Sequence, residues 1–327
     1  MGKCPEIPGM THRALITGIT GFVGRHLCAH LMECGDQVMG VAPSPITEDR
    51  RWGSLPHADH ILFWDLESLN FPVDCKMRIR AFQPTVVYHL AALSVPDDCG
   101  HVEPNQKAWT INVEGTRRVI ELIREVCPHA RFIFVSTSHL YRVPQDRVTF
   151  VNEDYPVNPR NGYARTKWAA EQIVQNAIQE YGLDAMIVRA FPHAGPGQSE
   201  RMMLPAWAAQ FARGQRVVYV HTLQATIDLS DVRDIVRAYR LLADSGIRGE
   251  IYNIGSGMPR TSAEVFELLR SMTHRDCEVV ETHPGIKYDP IADSRKIQNH
   301  TDWRPEIPIE KTVADTYHWW LSALSGE

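Results

Sequence analysis

The chain has 327 residues, with 34 Lys plus Arg against 39 Asp plus Glu, a net charge of −5, 44% apolar and 22% charged residues. That length supports one large domain or two moderate ones and excludes a small stapled module. The mildly acidic balance gives no general attraction to nucleic acid or anionic lipid. No apolar run approaches the ~20 residues needed to cross a bilayer, and Met1–Arg13 lacks the apolar core of a secretion signal, so the cytoplasm is the expected location.

The first apolar run, Ala14–Thr17, ends in Gly18-Ile19-Thr20-Gly21-Phe22-Val23-Gly24, and helical periodicity follows to about Cys34. This predicts strand, glycine turn and helix. A second strand, Gln37–Val41, stops at Pro43-Ser44-Pro45, which completes a βαβ start. Strands are expected at 60–64, 85–90, 131–135 and 185–188, and helices at 74–82, 105–127 and 162–181. The alternation predicts a doubly wound parallel sheet of Rossmann type with helices on both faces.

After Arg189, Pro192, Gly195, Pro196, Gly197 and Pro205 interrupt the alternation. Helices are expected at 201–213, 231–244, 262–272 and 309–322, with short strands at 216–220, 250–254 and 277–281. The expected division is therefore an N-terminal extension (1–12), a sheet domain (13–190) and a smaller α/β cap (191–327), from which some segments return to the sheet. Ligands of open α/β sheets bind beyond the carboxyl ends of the strands, where such a cap would close over them.

The GxxGxxG spacing of Gly18, Gly21 and Gly24 lets backbone N–H groups approach a pyrophosphate without obstruction by side chains. Thr20, Phe22 and Val23 belong to the same cradle. An NAD-preferring site places an acid at the end of the second strand, but this chain has Ser44 there, with Arg50 and Arg51 downstream. The reading is NADP(H), with NAD(H) as the alternative if Glu48 or Asp49 folds back.

Tyr163 and Lys167 stand four apart on a predicted helix, so both side chains project from one face. A neighbouring ammonium stabilises a phenolate, which predicts a lowered tyrosine pKa. Such a tyrosine exchanges a proton with a carbonyl or hydroxyl oxygen during hydride transfer. Ser136-Thr137-Ser138 precedes the pair at the end of a strand. The seven cysteines include no CxxC pair, which reads as reduced thiols, and the fifteen histidines lack metal-ligand spacing, so no metal is expected.

This order of motifs resembles the extended short-chain dehydrogenase/reductase family over nearly the whole chain, Arg13 to Trp320. The matching pieces are the glycine turn, Asp65-Leu66, His89-Leu90-Ala91-Ala92, Asn112-Val113-Glu114-Gly115-Thr116, Ser136-Thr137-Ser138, and Tyr163 with Lys167. Arg189 to Gln198, Asp231-Val232-Arg233-Asp234 and Trp303 to Pro308 are most similar to GDP-4-keto-6-deoxymannose reductases and GDP-mannose 4,6-dehydratases. The resemblance implies that Asp65 and Leu66 line the adenine site, that Leu90, Ala91, Ala92 and His193 lie along the cofactor, that Lys167 holds the nicotinamide ribose, and that Thr137 and Ser94 meet the sugar. It also implies a homodimer through 105–127 and 162–181.

The departures from the family pattern narrow the reaction. Dehydratases of this group carry a glutamate where this chain has His139, an imidazole able to act as a base. Pro192 replaces an asparagine, Ile227 replaces an arginine before Asp228, and His283-Pro284-Gly285-Ile286 lacks the arginine of a late Arg-Pro segment. These positions are expected to face a nucleotide diphosphate, where each charge-assisted contact contributes about 1.5–3 kcal/mol. Arg201, Arg216 and Lys287 are candidate replacements; otherwise the substrate sits differently or lacks the nucleotide. The expected activity is reduction of a 4-keto-6-deoxyhexose. Epimerisation or dehydration through a transient ketone is the alternative, and a cofactor-sensing scaffold is the non-enzymatic one.

Overall fold

A computed structural model of the protein describes residues 11–44, 55, 60–68, 70–273 and 276–325. Arg50, Arg51, Glu48, Asp49 and Cys4 lie outside the described residues. In chain order the first part comprises β1 (Arg13–Thr17), α1 (Phe22–Glu33), β2 (Gln37–Ala42), β3 (Ile61–Phe63), α2 (Val73–Phe82), β4 (Val86–His89), α3 (Gln106–Trp109), α4 (Gly115–Val126), β5 (Arg131–Thr137), β6 (Phe150–Val151), α5 (Gly162–Tyr181) and β7 (Ala185–Ala190). The remainder comprises β8 (His193–Ala194), α6 (Met203–Ala212), β9 (Val217–Val220), β10 (Ala225–Asp228), β11 (Ser230–Asp231), α7 (Val232–Ser245), β12 (Ile251–Ile254), β13 (Pro259–Thr261), α8 (Ser262–Thr273), β14 (Glu278–Glu281), β15 (Lys287–Tyr288), β16 (Ile291–Ala292), α9 (Arg295–Thr301) and α10 (Ile309–Ser325).

The central sheet has seven parallel strands in the order β12-β7-β5-β4-β1-β2-β3. Its strands are short apolar runs because both faces are covered. Leu27 and Leu31 of α1 and Val232, Ile235, Val236 and Leu242 of α7 pack on one face with Ile16, Val86 and Ile133. Val119, Ile123 and Val126 of α4 and Ala170 and Val174 of α5 cover the other with Leu15, Val87, Phe132 and Phe134. Each fully buried aliphatic side chain of this kind contributes about 1.5–3 kcal/mol relative to exposure. Strand order reverses at β1, whose neighbours are β4 and β2, and that switch point opens the crevice in which a ligand sits.

The return to the sheet after residue 190 is extensive. The strand expected at 250–254 is β12, an edge strand beside β7, and α7 and Trp303 belong to the sheet's own core. The Trp303 indole donates to the Asp234 carbonyl at 2.9 Å. A separate apolar cluster joins Trp207 and Phe211 of α6, Phe266 of α8 and Val313, Tyr317 and Trp320 of α10, forming a core of its own.

The single helix expected at 105–127 is not regular. Between α3 and α4 the residues Thr110–Glu114 form a π turn. The cause is Asn112, which is buried and accepts from Leu93 N at 2.8 Å while donating to Leu93 O at 3.0 Å and to Thr166 Oγ1 at 2.9 Å. The extra residue in the turn lets this side chain stay turned inward between α5 and the chain leaving β4.

Candidate active site

At the switch point, β1 ends in a turn only glycine permits. Gly18 has φ +75°, and a Cβ there would lie 2.9 Å from the Ala91 backbone. A Cβ on Gly24 would lie 2.2 Å from the Gly18 carbonyl oxygen, so α1 starts in direct contact with the turn. Gly18 N donates to Val41 O at 2.9 Å, and Ala91 N donates to Thr17 Oγ1 at 3.3 Å, which fixes Leu90–Ala92 alongside. Gly21 is the N-cap of α1 and no side chain caps the helix. The first N–H groups, of Phe22 and Val23, are therefore left to an incoming anion. This cradle, which side chains would fill, fits a dinucleotide pyrophosphate.

The other predicted cofactor residues distribute around it. Ser44 is exposed at the end of β2. Asp65 is exposed after β3, its carboxylate accepting from Glu67 N at 2.9 Å, while Leu66 is buried against Gly115. The Thr20 carbonyl accepts from Arg25 Nε at 3.0 Å. His193 stacks on Phe22 with centroids 6.2 Å apart, and its Nδ1 lies 2.8 Å from the Phe191 carbonyl. A carbonyl only accepts, so Nδ1 carries the proton, and burial lowers the pKa of the ring and keeps it neutral.

Thr137 ends β5 and is buried; its hydroxyl accepts from His139 N at 3.2 Å and lies near enough to the Tyr163 hydroxyl to draw its pKa down. Tyr163 is the second residue of α5, whose N-cap Asn161 accepts from Ala164 N at 2.8 Å. Gly162 seats the helix: its N donates to Gly100 O at 2.9 Å, and a Cβ there would lie 2.2 Å from the Cys99 carbonyl oxygen. Lys167 is buried, with its ammonium 4.3 Å above the Phe134 ring.

The electrostatics differ from the sequence expectation. Burial pushes the Tyr163 phenol up to about 12, against a smaller downward pull from the Thr137 hydrogen bond. Lys167 does not lower it, because the ammonium sits over Phe134 and is itself drawn down to about 7 by burial, with Glu171 the leading opposing influence. At neutral pH Tyr163 is thus a phenol ready to give a proton. Its ring meets that of His139 edge-on at 5.9 Å. His139 is exposed; desolvation lowers its pKa, Asp289 raises it and Lys287 lowers it.

The expected diphosphate positions are occupied by other interactions. Arg201 grips Asp98 with both arms, at 2.7 and 2.8 Å, and is not free to serve as a phosphate ligand as it stands. Ile227 is buried in the cap's apolar cluster, and the Pro192 carbonyl accepts from Ser230 N at 3.0 Å. His283 stacks on His221 at 4.3 Å beside the ends of the paired strands β9 and β14. Lys287 is bonded to Asp289 at 3.0 Å, Arg216 is exposed, and Ser94 is exposed after the β4 segment. Among the described residues no group of three or more His, Cys, Asp and Glu is arranged to hold a metal, and no helix is long and apolar enough to cross a membrane.

Sequence reasoning missed the buried polar layer behind the cleft. Glu171 and Arg189 form a two-armed pair there, Tyr141 and Asn253 extend it, and Asp228 accepts from Ser256, Gly257 and Ala292. The signal for Glu171 was its place four residues after Lys167, which continues the Tyr163–Lys167 stripe.

The chain is similar to known proteins over most of its length. The model of the NAD dependent epimerase/dehydratase family matches residues 14–255. A GDP-6-deoxy-D-mannose reductase from Pseudomonas aeruginosa is 28% identical over 97% of this chain and 100% of its own. A human dTDP-D-glucose 4,6-dehydratase is 24% identical over 95% of this chain and 91% of its own. Among solved structures, RMD from Pseudomonas aeruginosa complexed with NADPH superposes with a TM-score of 0.82 at 25% identity, covering 96% of this chain and 99% of that one.

Proposed function

Because the chain belongs to the NAD dependent epimerase/dehydratase family, within the NAD(P)-dependent short-chain dehydrogenases/reductases, we propose that it reduces the ketone of a 4-keto-6-deoxyhexose, with NADPH as the favoured dinucleotide. The supporting observation is the pairing of Thr137 with Tyr163 at the end of β5, beside a glycine cradle open to a pyrophosphate. Phe22, Val23 and the α1 terminus would hold the phosphates, Asp65 and Leu66 the adenine end, and Lys167 the nicotinamide ribose. The bound dinucleotide supplies the hydride.

The protein's part is to place the ketone and deliver the proton. Thr137 orients the carbonyl oxygen by a hydrogen bond. Tyr163, protonated at neutral pH, gives its proton to that oxygen as negative charge develops there. Ser94, exposed after β4, would meet a sugar hydroxyl. The resemblance to a reductase over 97% of this chain and 100% of that one supports this direction of reaction.

A specific observation favours a second reading. His139, with its pKa lowered and its ring against Tyr163, is suited to taking a proton beside a ketone, as epimerisation or dehydration through a transient ketone would require. Those reactions consume no dinucleotide overall. For the rest of the substrate, the tie of Arg201 to Asp98, together with Ile227, Pro192 and His283, supports a sugar whose diphosphate is held differently from the family's usual manner, or one without a nucleotide. The test is stoichiometric: with keto-sugars presented with and without a nucleoside diphosphate, reduction oxidises one NADPH per product and is lost in Tyr163→Phe.

A further inference from the structure

Three buried charges stand in a row behind the cleft. Lys167 and Glu171 are one turn apart on α5, and Arg189 faces them from β7; the Glu171 carboxylate has no exposure at all. Arg189 Nε donates to Oε1 at 3.1 Å and Nη2 to Oε2 at 2.8 Å. The remaining arm donates to the Tyr141 hydroxyl at 2.9 Å and the Glu153 carbonyl at 3.2 Å, and Tyr141 donates to Asn253 Oδ1 at 2.8 Å. Glu171 is therefore locked from the β7 and β12 side.

A hydrogen-bonded ion pair without exposure is an expensive way to fill space, since an apolar pair of similar volume is often as stable. Its value here lies in where the negative charge stands. The groups acting on the Lys167 ammonium are Glu171 on its own helix, the Cys99 thiol from the 96–99 segment, neutral His89 from β4 and the Phe134 ring from β5. Glu171 is the leading influence that favours the charged lysine against burial. Arg189 holds that carboxylate in place from β7.

We propose that Glu171 is a positioning residue for Lys167: locked by Arg189, its carboxylate keeps the buried lysine cationic where the dinucleotide ribose would meet it. This rests on the dinucleotide-dependent reading above. It predicts that charge, rather than packing, at position 171 sets the pH range over which the cofactor binds.

The test is the NADPH dissociation constant, read by the cofactor's fluorescence across pH in the wild type, Glu171→Gln and Arg189→Met. In the wild type, affinity is expected to fall as pH rises through Lys167's titration. Glu171→Gln is expected to move that midpoint down by roughly one to two pH units, as loss of one charge at helical i, i+4 distance implies. Arg189→Met, which removes a cation, is expected to move it up. Opposite shifts are a signature that lost packing does not produce. If Glu171→Gln fails to fold, Arg189→Met carries the test alongside Glu171→Asp, which keeps the charge and is expected to keep the midpoint. Unmoved midpoints with lowered thermal stability would overturn the proposal and leave the cofactor reading standing. A wild type that binds neither NADPH nor NADH would overturn both.

Discussion

Gly162 opens α5 directly against the carbonyl of Cys99, where a Cβ would lie 2.2 Å from the oxygen. The next residue is Tyr163, so the absence of one methyl group sets the height of the proton donor over the cleft. Gly162→Ala forces a backbone shift costing about 1–3 kcal/mol. It is expected to lower the melting temperature and to reduce kcat more than it weakens cofactor binding. Differential scanning fluorimetry and steady-state kinetics on the same preparation check both.

Tyr163→Phe retains the ring against His139 and removes only the hydroxyl shared with Thr137. Loss of a positioned acid costs about 10²–10⁴-fold in turnover. NADPH affinity is expected to stay within a few-fold of the wild type. Comparable loss of affinity in a titration would mean that Tyr163 binds rather than reacts.

The pH profile follows from the Lys167–Tyr163 pair. Lys167 is charged below about 7, whereas Tyr163, pushed to about 12, stays protonated through the same range. The rate kcat/KM for reduction is expected to fall as pH rises through about 7. The stability effect has the opposite sense. Between that value and the ordinary lysine range the unfolded chain binds a proton that the folded chain does not, so this residue's contribution to stability grows with rising pH. Lys167→Met should flatten that rise in pH-dependent thermal melts.

Gly24→Ala places a methyl group 2.2 Å from the Gly18 carbonyl oxygen, a clash between two backbone segments that neither can relieve by a rotamer change. The turn must open, and the N–H cradle of α1 with it. Cofactor binding measured by fluorescence quenching is expected to disappear at concentrations that saturate the wild type.

Arg201 tests how the rest of the substrate is held. With both arms on Asp98 it ties the chain after β8 to the segment after β4. Calorimetric binding of GDP is expected to be weak and to be unchanged in Arg201→Ala. Tight binding weakened by this substitution would show that Arg201 leaves Asp98 for a diphosphate, against the nucleotide-free reading.

Much of the sheet was legible because parallel strands buried on both faces must be short apolar runs; Ala14–Thr17, Arg131–Val135 and Ala185–Val188 all lie within strands of the central sheet. The cap's two- and three-residue strands, such as β8, β11 and β16, carry no such pattern, since tertiary pairing makes them. The π turn at Thr110–Glu114 was hidden for a related reason: it arises from Asn112 bonding to Leu93 and Thr166, distant in sequence. At the site, Thr137, Tyr163 and Lys167 could be placed from order and spacing. Their protonation could not, because burial decides it, and burial depends on Phe134, Cys99 and Glu171 arriving from different elements.

The most direct test is the ratio of NADPH oxidised to product formed when the wild-type enzyme turns over a 4-keto-6-deoxyhexose substrate. The account predicts one NADPH per product, with both falling together in Tyr163→Phe. Steady product formation with no net loss of NADPH would contradict it and identify transient oxidation, with His139 as the base.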